Sequence, residues 1–262
     1  MSSAAQNDVN NLIALYESTF SDNITVNIEF DDMGSGLGQS STQVGVANYS
    51  DVKAQLDADA KTADDSAAIA QLNALPLSGT TQIALSEANA KALGFDTSSF
   101  SGDDGVIGLN TSICFTDHNS PVAGKYDLFA VAAHELDEVL GTVSGVGGST
   151  LWSADLYRYN GSGARSFTTD TGQRAYFSID GTNLLDEYNQ FGRTTGDWGD
   201  WKRHSPPQVQ DWQGTTGMKI DPDVEFRLLD VVGYDRVITP EPASMAVLGL
   251  GVFALIRRRA KK

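Results

Sequence analysis

The stretch "AVAAHELDEVLGTVSG", residues 130–145, holds the side chains that are best suited to metal chemistry. His134 and Glu138 stand four residues apart, so on an α-helix they lie on one face and can bind the same cation. Glu135 is rotated by one position, which places its carboxylate beside that cation as a general base. The spacing predicts a helix over 126–140 that carries a metal-dependent hydrolytic site.

The rest of this helix is apolar and is expected to pack against the core. Its apolar residues are Leu128, Phe129, Ala132, Leu136, Val139 and Leu140. Gly141 allows the helix to end and the chain to turn sharply. This layout is typical of a catalytic helix at the floor of a cleft.

The same stretch resembles the zincin metalloproteases, which carry H-E-x-x-H, and their metzincin branch, which extends it to H-E-x-x-H-x-x-G-x-x-H. His134, Glu135 and Gly141 match this motif, whereas Glu138 and Ser144 replace its second and third histidines. Zinc accepts carboxylate oxygen as well as imidazole nitrogen, so Glu138 remains a suitable ligand. A site richer in carboxylates should hold zinc less selectively.

The resemblance extends over roughly residues 8–236, to a family of predicted bacterial metalloproteases that often carry PEP-CTERM tails. It rests on "HELDEVLG", "DLYRYN", "RSFTTDTG", "AYFSIDGTNL" and "LLDVVGYD". The family tolerates glutamate at the second ligand position. The resemblance implies a zinc metalloendopeptidase in which Glu135 is the catalytic base.

A third ligand must come from elsewhere in the chain, and three residues are candidates. Asp155 is the first, because metzincin-like chains return to the metal shortly after the turn that Gly141 makes here. His204 is the second and His118 the third. Each also has a structural interpretation, with Asp155 as an acceptor in a turn and the histidines as exposed loop residues. The structural interpretation is favoured for the histidines and left open for Asp155.

Three further features would fit a protease. "VIGLN" at 106–110 precedes the helix, where zincins place the edge strand that pairs with substrate. Met218 occupies the place of the metzincin Met-turn, although a methionine there is more often simple core packing. Tyr157 or Tyr159 would stabilise the oxyanion, and nothing in the sequence selects between them.

Helices and strands of several kinds must position this site. Periodic apolar residues predict helices at 7–20 and 223–235, and a broken helix over 49–72. Strands are expected at 23–30 and at 106–110, and a strand leading into a helix at 81–95. "DDMGSGLGQSS" is a glycine-rich loop by composition. The fold class is therefore α+β: a zincin-like domain, residues 1–237, with a twisted β-sheet, an active-site helix and a loop-rich C-terminal part.

Charge and cysteine content exclude other classes of function. The chain has 34 acidic and 18 basic residues, and five of the basic ones lie in the last six positions, so the rest carries −21. A field of that sign repels nucleic acid and would attract cations such as Ca²⁺. The single cysteine, Cys114, allows no intrachain disulfide and is expected to be buried.

The tail, residues 238–262, joins Pro240-Glu241-Pro242, an apolar run at 243–256 and a basic cluster. These parts in this order resemble the PEP-CTERM sorting signal of bacteria. The resemblance implies export, transient insertion in the inner membrane, and cleavage by an exosortase-type enzyme. A run of fourteen residues is shorter than the ~20 that an unaided span requires, and a plain tail anchor is the alternative. The first twenty residues contain no signal peptide pattern.

Three hypotheses about the function of the whole chain follow. In the first, the chain is an exported zinc endopeptidase acting on protein or peptide substrates. In the second, it is a non-catalytic surface or matrix protein on a degenerate protease scaffold. In the third, "HELDE" is only a solvated acidic helix face and binds no metal. A scaffold without activity has no need of Glu135 next to the ligand. The apolar residues before His134 and Gly141 after the helix indicate a buried, cleft-side helix. The endopeptidase is therefore the favoured hypothesis.

Overall fold

The computed structural model describes residues 1–237, which contain six α-helices, two short 3₁₀-helices and eleven short strands joined by loops. The fold is mixed α+β, with small sheets rather than one large sheet. No helix within these residues is long and apolar enough to cross a membrane. The tail predicted to insert in the membrane, 238–262, lies outside the described residues.

The sheet nearest the candidate site has the order β1-β5-β2, with β1 at Ile28–Asp32, β5 at Gly105–Leu109 and β2 at Gly38–Thr42. β5 pairs in parallel with β1 and antiparallel with β2. The prediction that 106–110 is the substrate-pairing edge strand is therefore wrong. The near-continuous apolar sequence of β5 fits a buried central strand, and β2 is an edge strand of this sheet.

The remaining strands form three further small sheets. One contains β3 (Val44–Asn48), β4 (Gln82–Ser86) and β8 (Leu151–Trp152). Another contains β9 (Arg158–Tyr159), β10 (Tyr176–Phe177) and β11 (Asp186–Glu187). The last pairs β6 (Cys114–Phe115) with β7 (Tyr126–Asp127). Cys114 is buried, as expected. The strands after residue 141 are two residues long, which confirms the prediction of a loop-rich C-terminal part.

The predicted helices are all present, with shifted ends. They are α1 (Ser3–Thr19), α2 (Tyr49–Asp59), α3 (Ala63–Ala74), α4 (Glu87–Ala92), α5 (Leu128–Leu140) and α6 (Val224–Val231). The predicted break in 49–72 lies between α2 and α3. There the Thr62 side chain accepts a hydrogen bond from the Asp65 backbone, and Asp65 bonds back to Thr62. This reciprocal cap starts α3 as a separate helix.

Helix α5 is the element that carries the candidate site, and two glycines define its surroundings. Gly141 ends the helix at φ 115°, a left-handed conformation that side chains disfavour. Gly38 of β2 faces the helix so closely that an added Cβ would lie 2.4 Å from Oε1 of Glu135. The absence of a side chain at Gly38 therefore lets the edge strand pass directly over the Glu135 carboxylate.

Two buried aspartates make the stability of the fold depend on pH. Burial, with a contribution from Asp65, raises the pKa of Asp230 to about 7, and burial raises the pKa of Asp186 to about 7 against the opposing charge of His204. In the unfolded chain both carboxyls titrate near 3.8–4. The folded state thus holds protons that the unfolded state has released, so the stabilisation is complete below about pH 4 and is lost as pH rises through about 7.

We therefore expect the thermal midpoint of unfolding to fall between about pH 5 and about pH 8. Asp230→Asn should flatten this fall, because an uncharged amide has no charge to desolvate. The exposed Asp31→Asn is the matched control and should follow wild type. Scanning calorimetry over this pH range measures both effects. A midpoint that rises steadily with pH would contradict the assignment.

Candidate metal centre

His134, Glu138 and Asp200 bring three ligand atoms together. Nε2 of His134 lies 3.7 Å from Oε1 of Glu138 and 3.8 Å from Oδ1 of Asp200, and the three atoms all lie within 4.8 Å of one another. These distances are too long for hydrogen bonds. Tetrahedral Zn²⁺ with bonds of about 2.0–2.1 Å sets its ligand atoms roughly 3.3–3.5 Å apart. The donor set and its spacing therefore fit a small divalent cation.

The imidazole of His134 is oriented for this role. Its Nδ1 lies 3.0 Å from the carbonyl oxygen of Val209, so an Nδ1–H donates there and leaves the Nε2 lone pair directed at the two carboxylates. Burial alone would lower the pKa of His134, but the charges of Asp200 and Glu138 outweigh it and raise the pKa to about 9. The same charges that favour a proton on Nε2 favour a metal cation.

Each carboxylate has one oxygen anchored and the other directed at His134. Ser40 of β2 donates its hydroxyl hydrogen to Oε2 of Glu138 at 2.5 Å. The backbone N–H of Asp197 donates to Oδ2 of Asp200 at 2.9 Å. Such outer hydrogen bonds fix the direction of metal-binding oxygens and strengthen binding.

The loop that carries Asp200 is held by residues outside the H-E-x-x-H stretch. The buried guanidinium of Arg158 donates to the carbonyl oxygen of Trp198 at 2.7 Å. The backbone N–H of Asn189 donates to the carbonyl oxygen of Asp200 at 2.8 Å. Sequence reasoning missed Asp200, whose only local signal is its place in the polar, tryptophan-rich segment 186–217.

Glu135 lies beside the three candidate ligands, on the side of β2. Only 7% of its surface is exposed. Burial raises the pKa of Glu135 to about 8, with Glu138 and Asp200 adding to the effect and His134 opposing it. A carboxylate with a pKa near neutrality is suited to take up and return a proton.

An open groove gives access to these groups. A cavity of about 390 Å³ is lined by His134, Glu135 and Glu138, by β2 residues including Gly38, and by Trp212 of the C-terminal part. A second cavity of about 380 Å³ lies beyond it. Both cavities share the residues Ser40, Glu138 and Asp197 in their linings. The groove thus extends on two sides of the candidate ligands.

Asp155, the predicted third ligand, does not belong to this group. Its carboxylate is 1% exposed and accepts hydrogen bonds from the Ser144 hydroxyl at 2.6 Å, the Gly145 N–H at 2.8 Å and the Trp152 N–H at 2.9 Å. Both of its oxygens are therefore engaged. The alternative interpretation of Asp155, as an acceptor in a turn, agrees with this geometry. Asp200, and not Asp155, is the third candidate ligand beside His134 and Glu138.

Replacing Asp155 is expected to destabilise the fold without removing metal. Asp155→Asn presents an amide N–H₂ to donors that need an acceptor, and lost hydrogen bonds at a buried site cost about 1–3 kcal/mol. The thermal midpoint should fall by several degrees, whereas zinc content per folded chain should equal that of wild type. A variant that folds normally and loses zinc would restore Asp155 as a ligand.

The two other histidines are fixed by aspartates, and neither is an exposed loop residue. His118 is 7% exposed, with its ring nitrogens 2.8 Å from Asp127 and 2.9 Å from Asp221. The ring nitrogens of His204 lie 2.6 Å from Asp211 and 2.9 Å from Asp186. With both ring nitrogens occupied, each histidine connects loops rather than offering a free metal ligand.

The remaining predicted site features lie elsewhere as well. Tyr157 and Tyr159 are fully buried, and their hydroxyls donate to the carbonyl oxygens of Val231 and Leu156. Neither hydroxyl can therefore serve as an oxyanion donor in the groove. Met218 is 38% exposed and is not a core residue beneath the candidate ligands.

Comparison with known families identifies the tail. Residues 239–260 match the model of the PEP-CTERM protein-sorting motif. This motif is recognised by an exosortase-type sorting enzyme and implies export to the cell envelope. No curated protein and no solved structure matches the chain.

Proposed function

We propose that the chain is an exported, metal-dependent endopeptidase with a zincin-like catalytic helix. The observation that carries the proposal is the convergence of His134, Glu138 and Asp200 at an open groove, next to the buried Glu135. The sorting motif at 239–260 supports action outside the cytoplasm.

The residues of the groove have separate roles in this mechanism. His134, Glu138 and Asp200 would hold the cation, which would supply Lewis-acid polarisation of the scissile carbonyl and of the attacking water. Glu135 accepts the proton of that water and later delivers it to the leaving amine. Tyr126 is the one tyrosine among residues 1–237 that lines either cavity of the groove, and it would donate a hydrogen bond to the oxyanion.

The edge strand β2 is suited to bind an extended substrate. Its pairing partner among the described residues is β5 alone, and its residues from Gly38 to Thr42 line the two cavities in succession. A peptide can add to such an edge through main-chain hydrogen bonds. Because the groove continues on both sides of the candidate ligands, the peptide has room before and after the scissile bond, which favours endopeptidase action.

The donor set favours zinc or another transition metal over calcium at this centre. One imidazole and two carboxylates suit Zn²⁺, whereas Ca²⁺ takes six to eight oxygen ligands. The larger share of carboxylate relative to H-E-x-x-H weakens the preference for zinc over harder cations. Calcium binding to other aspartate-rich loops stays a prediction. The Asp180 carboxylate in one such loop already accepts hydrogen bonds from Thr182 and Asn183.

A quenched mixed-peptide library tests the proposed function. Zinc-loaded protein should cleave it, a chelator should stop cleavage, and added zinc should restore it. Protein that binds zinc and cleaves nothing would favour the alternative of a non-catalytic surface or matrix protein on a protease scaffold. Protein that binds no transition metal would exclude the proposed centre.

Removal of the tail is also expected. Cleavage by the sorting enzyme near Pro240 would separate the basic end from the domain, so that the inner membrane holds the chain only transiently. Intact mass of the mature protein from its native host measures this. A mass that still includes residues 257–262 would favour a permanent tail anchor.

A further inference from the structure

Apart from His134, the charged side chains of the described residues that line the groove are acidic. Among the described residues that line its two cavities there is no lysine and no arginine. Its acidic residues are Asp127, Glu135, Glu138, Asp197, Asp200 and Asp211. Glu138 and Asp200 would face the cation, and Asp127 and Asp211 lie against histidines, so what distinguishes the lining is any carboxylate that remains open to a substrate.

Asp197 is the one exposed acidic residue among the described residues that line the groove. Asp127 and Asp211 are bonded to histidines, Glu138 to Ser40, and Asp200 to a backbone N–H. The Asp197 side chain is exposed and has no hydrogen bond or ion pair with any residue in 1–237.

The position of Asp197 is fixed although its carboxylate is free. Its backbone N–H donates to Asp200, three residues along, so the carboxylate stands beside the loop of a candidate ligand. It lines both cavities, at the place where they adjoin. Next to it in the second cavity stand Trp152 and Trp198. The Arg193 guanidinium lies 4.2 Å from the centre of the Trp198 ring, so the Trp152 ring offers the open apolar surface.

We propose that Asp197 is a specificity-determining residue that selects substrates with lysine or arginine beside the scissile bond. The inference rests on the proposed peptidase function. The cationic head of the substrate side chain pairs with the Asp197 carboxylate, and its methylene stem packs on the Trp152 ring. A peptide with glutamate or aspartate at this position meets the like charge of Asp197 and is disfavoured.

Matched peptides that differ at one residue test this assignment. Each peptide carries lysine, norleucine or glutamate next to the scissile bond, so that length is similar and charge varies. Zinc-loaded wild type should prefer lysine over norleucine about two- to fivefold in kcat/KM, the effect of one exposed ion pair. Asp197→Asn should remove that preference while zinc content stays unchanged, because the backbone bond to Asp200 is retained. Asp103→Asn, at an exposed aspartate outside both cavities, is the control and should keep the preference for lysine.

Binding is measured beside turnover, so that failure of the inference is distinct from failure of the peptidase function. Fluorescence anisotropy with uncleavable versions of the three peptides, with a reduced scissile bond, reports affinity for the zinc-loaded protein. The lysine peptide should bind most tightly, and its advantage should shrink as salt rises to about 0.5 M. Charge-dependent binding without cleavage would support the role of Asp197 in selecting the peptide and would overturn the peptidase function. Equal affinities for lysine, norleucine and glutamate peptides, or a preference unchanged in Asp197→Asn, would overturn the role of Asp197.

Discussion

Replacing Glu135 by glutamine is expected to lower kcat/KM by at least about 100-fold while zinc stays bound, since general acid–base groups contribute about 10²–10⁴-fold in rate. Glutamine keeps the size and shape of the side chain beside β2 but cannot accept the proton. The variant should also be at least as stable as wild type near pH 8. The reason is that burial raises the pKa of Glu135, so its ionisation destabilises the folded metal-free chain.

Three measurements separate this prediction from simple damage. Cleavage of the peptide library gives the activity, metal analysis gives the zinc content, and thermal unfolding gives the stability. Glu29→Gln is the matched control, because Glu29 is an exposed glutamate on β1 outside both cavities of the groove. Unchanged activity in Glu135→Gln would refute the proposed mechanism, whatever its zinc content.

Removing a ligand is expected to have the second large effect, on affinity rather than on rate. His134→Ala and Asp200→Ala should each weaken zinc binding by more than about 100-fold, because loss of an outer partner alone typically costs 10–100-fold. Activity at limiting zinc should disappear with the metal. Competition with a zinc-responsive chelator dye measures the affinities.

The neighbouring Asp197 supplies a control within the same loop. Asp197→Asn changes a carboxylate three residues from Asp200 and leaves the backbone N–H that orients it, so zinc affinity should stay near that of wild type. Ser40→Ala removes the hydrogen bond to Glu138, and its zinc affinity should lie between those of Asp197→Asn and Asp200→Ala, about tenfold below wild type. Equal affinities in wild type and Asp200→Ala would exclude Asp200 from the centre.

The sequence was sufficient to predict α5 and the pair His134 and Glu138, because a helix converts a four-residue spacing into a shared face. It was sufficient to place Glu135 next to them for the same reason. These statements depend on local geometry alone, and the amphipathic pattern that defines the helix is strong. The loop-rich part after Gly141 followed equally from its glycine and serine content.

The third candidate ligand depends on tertiary structure and could not be predicted in this way. Asp200 reaches the helix through tertiary contacts of its loop, such as those with Arg158 and Asn189, and no local pattern records such contacts. Asp155 was favoured by its nearness in sequence to Gly141. Its oxygens instead accept the N–H and O–H groups of that turn, which is the commoner role of an aspartate after a helix.

The strand β2 was missed for a different reason. Its sequence, "GQSST", has no alternation of apolar and polar residues, so its composition indicated a loop. It pairs with β5 through backbone groups, and Gly38 is needed where it crosses Glu135. The element that forms one wall of the groove is therefore shaped by its approach to α5, not by burial of its own side chains.

A crystal structure of the zinc-loaded protein, with data collected above and below the zinc absorption edge, tests the central claim most directly. The account predicts one strong anomalous peak within about 2.0–2.2 Å of Nε2 of His134, a carboxylate oxygen of Glu138 and a carboxylate oxygen of Asp200. Glu135 should lie beside the zinc without being one of these three ligands. A zinc peak bound by Asp155 instead of Asp200, or no peak at His134, would contradict it.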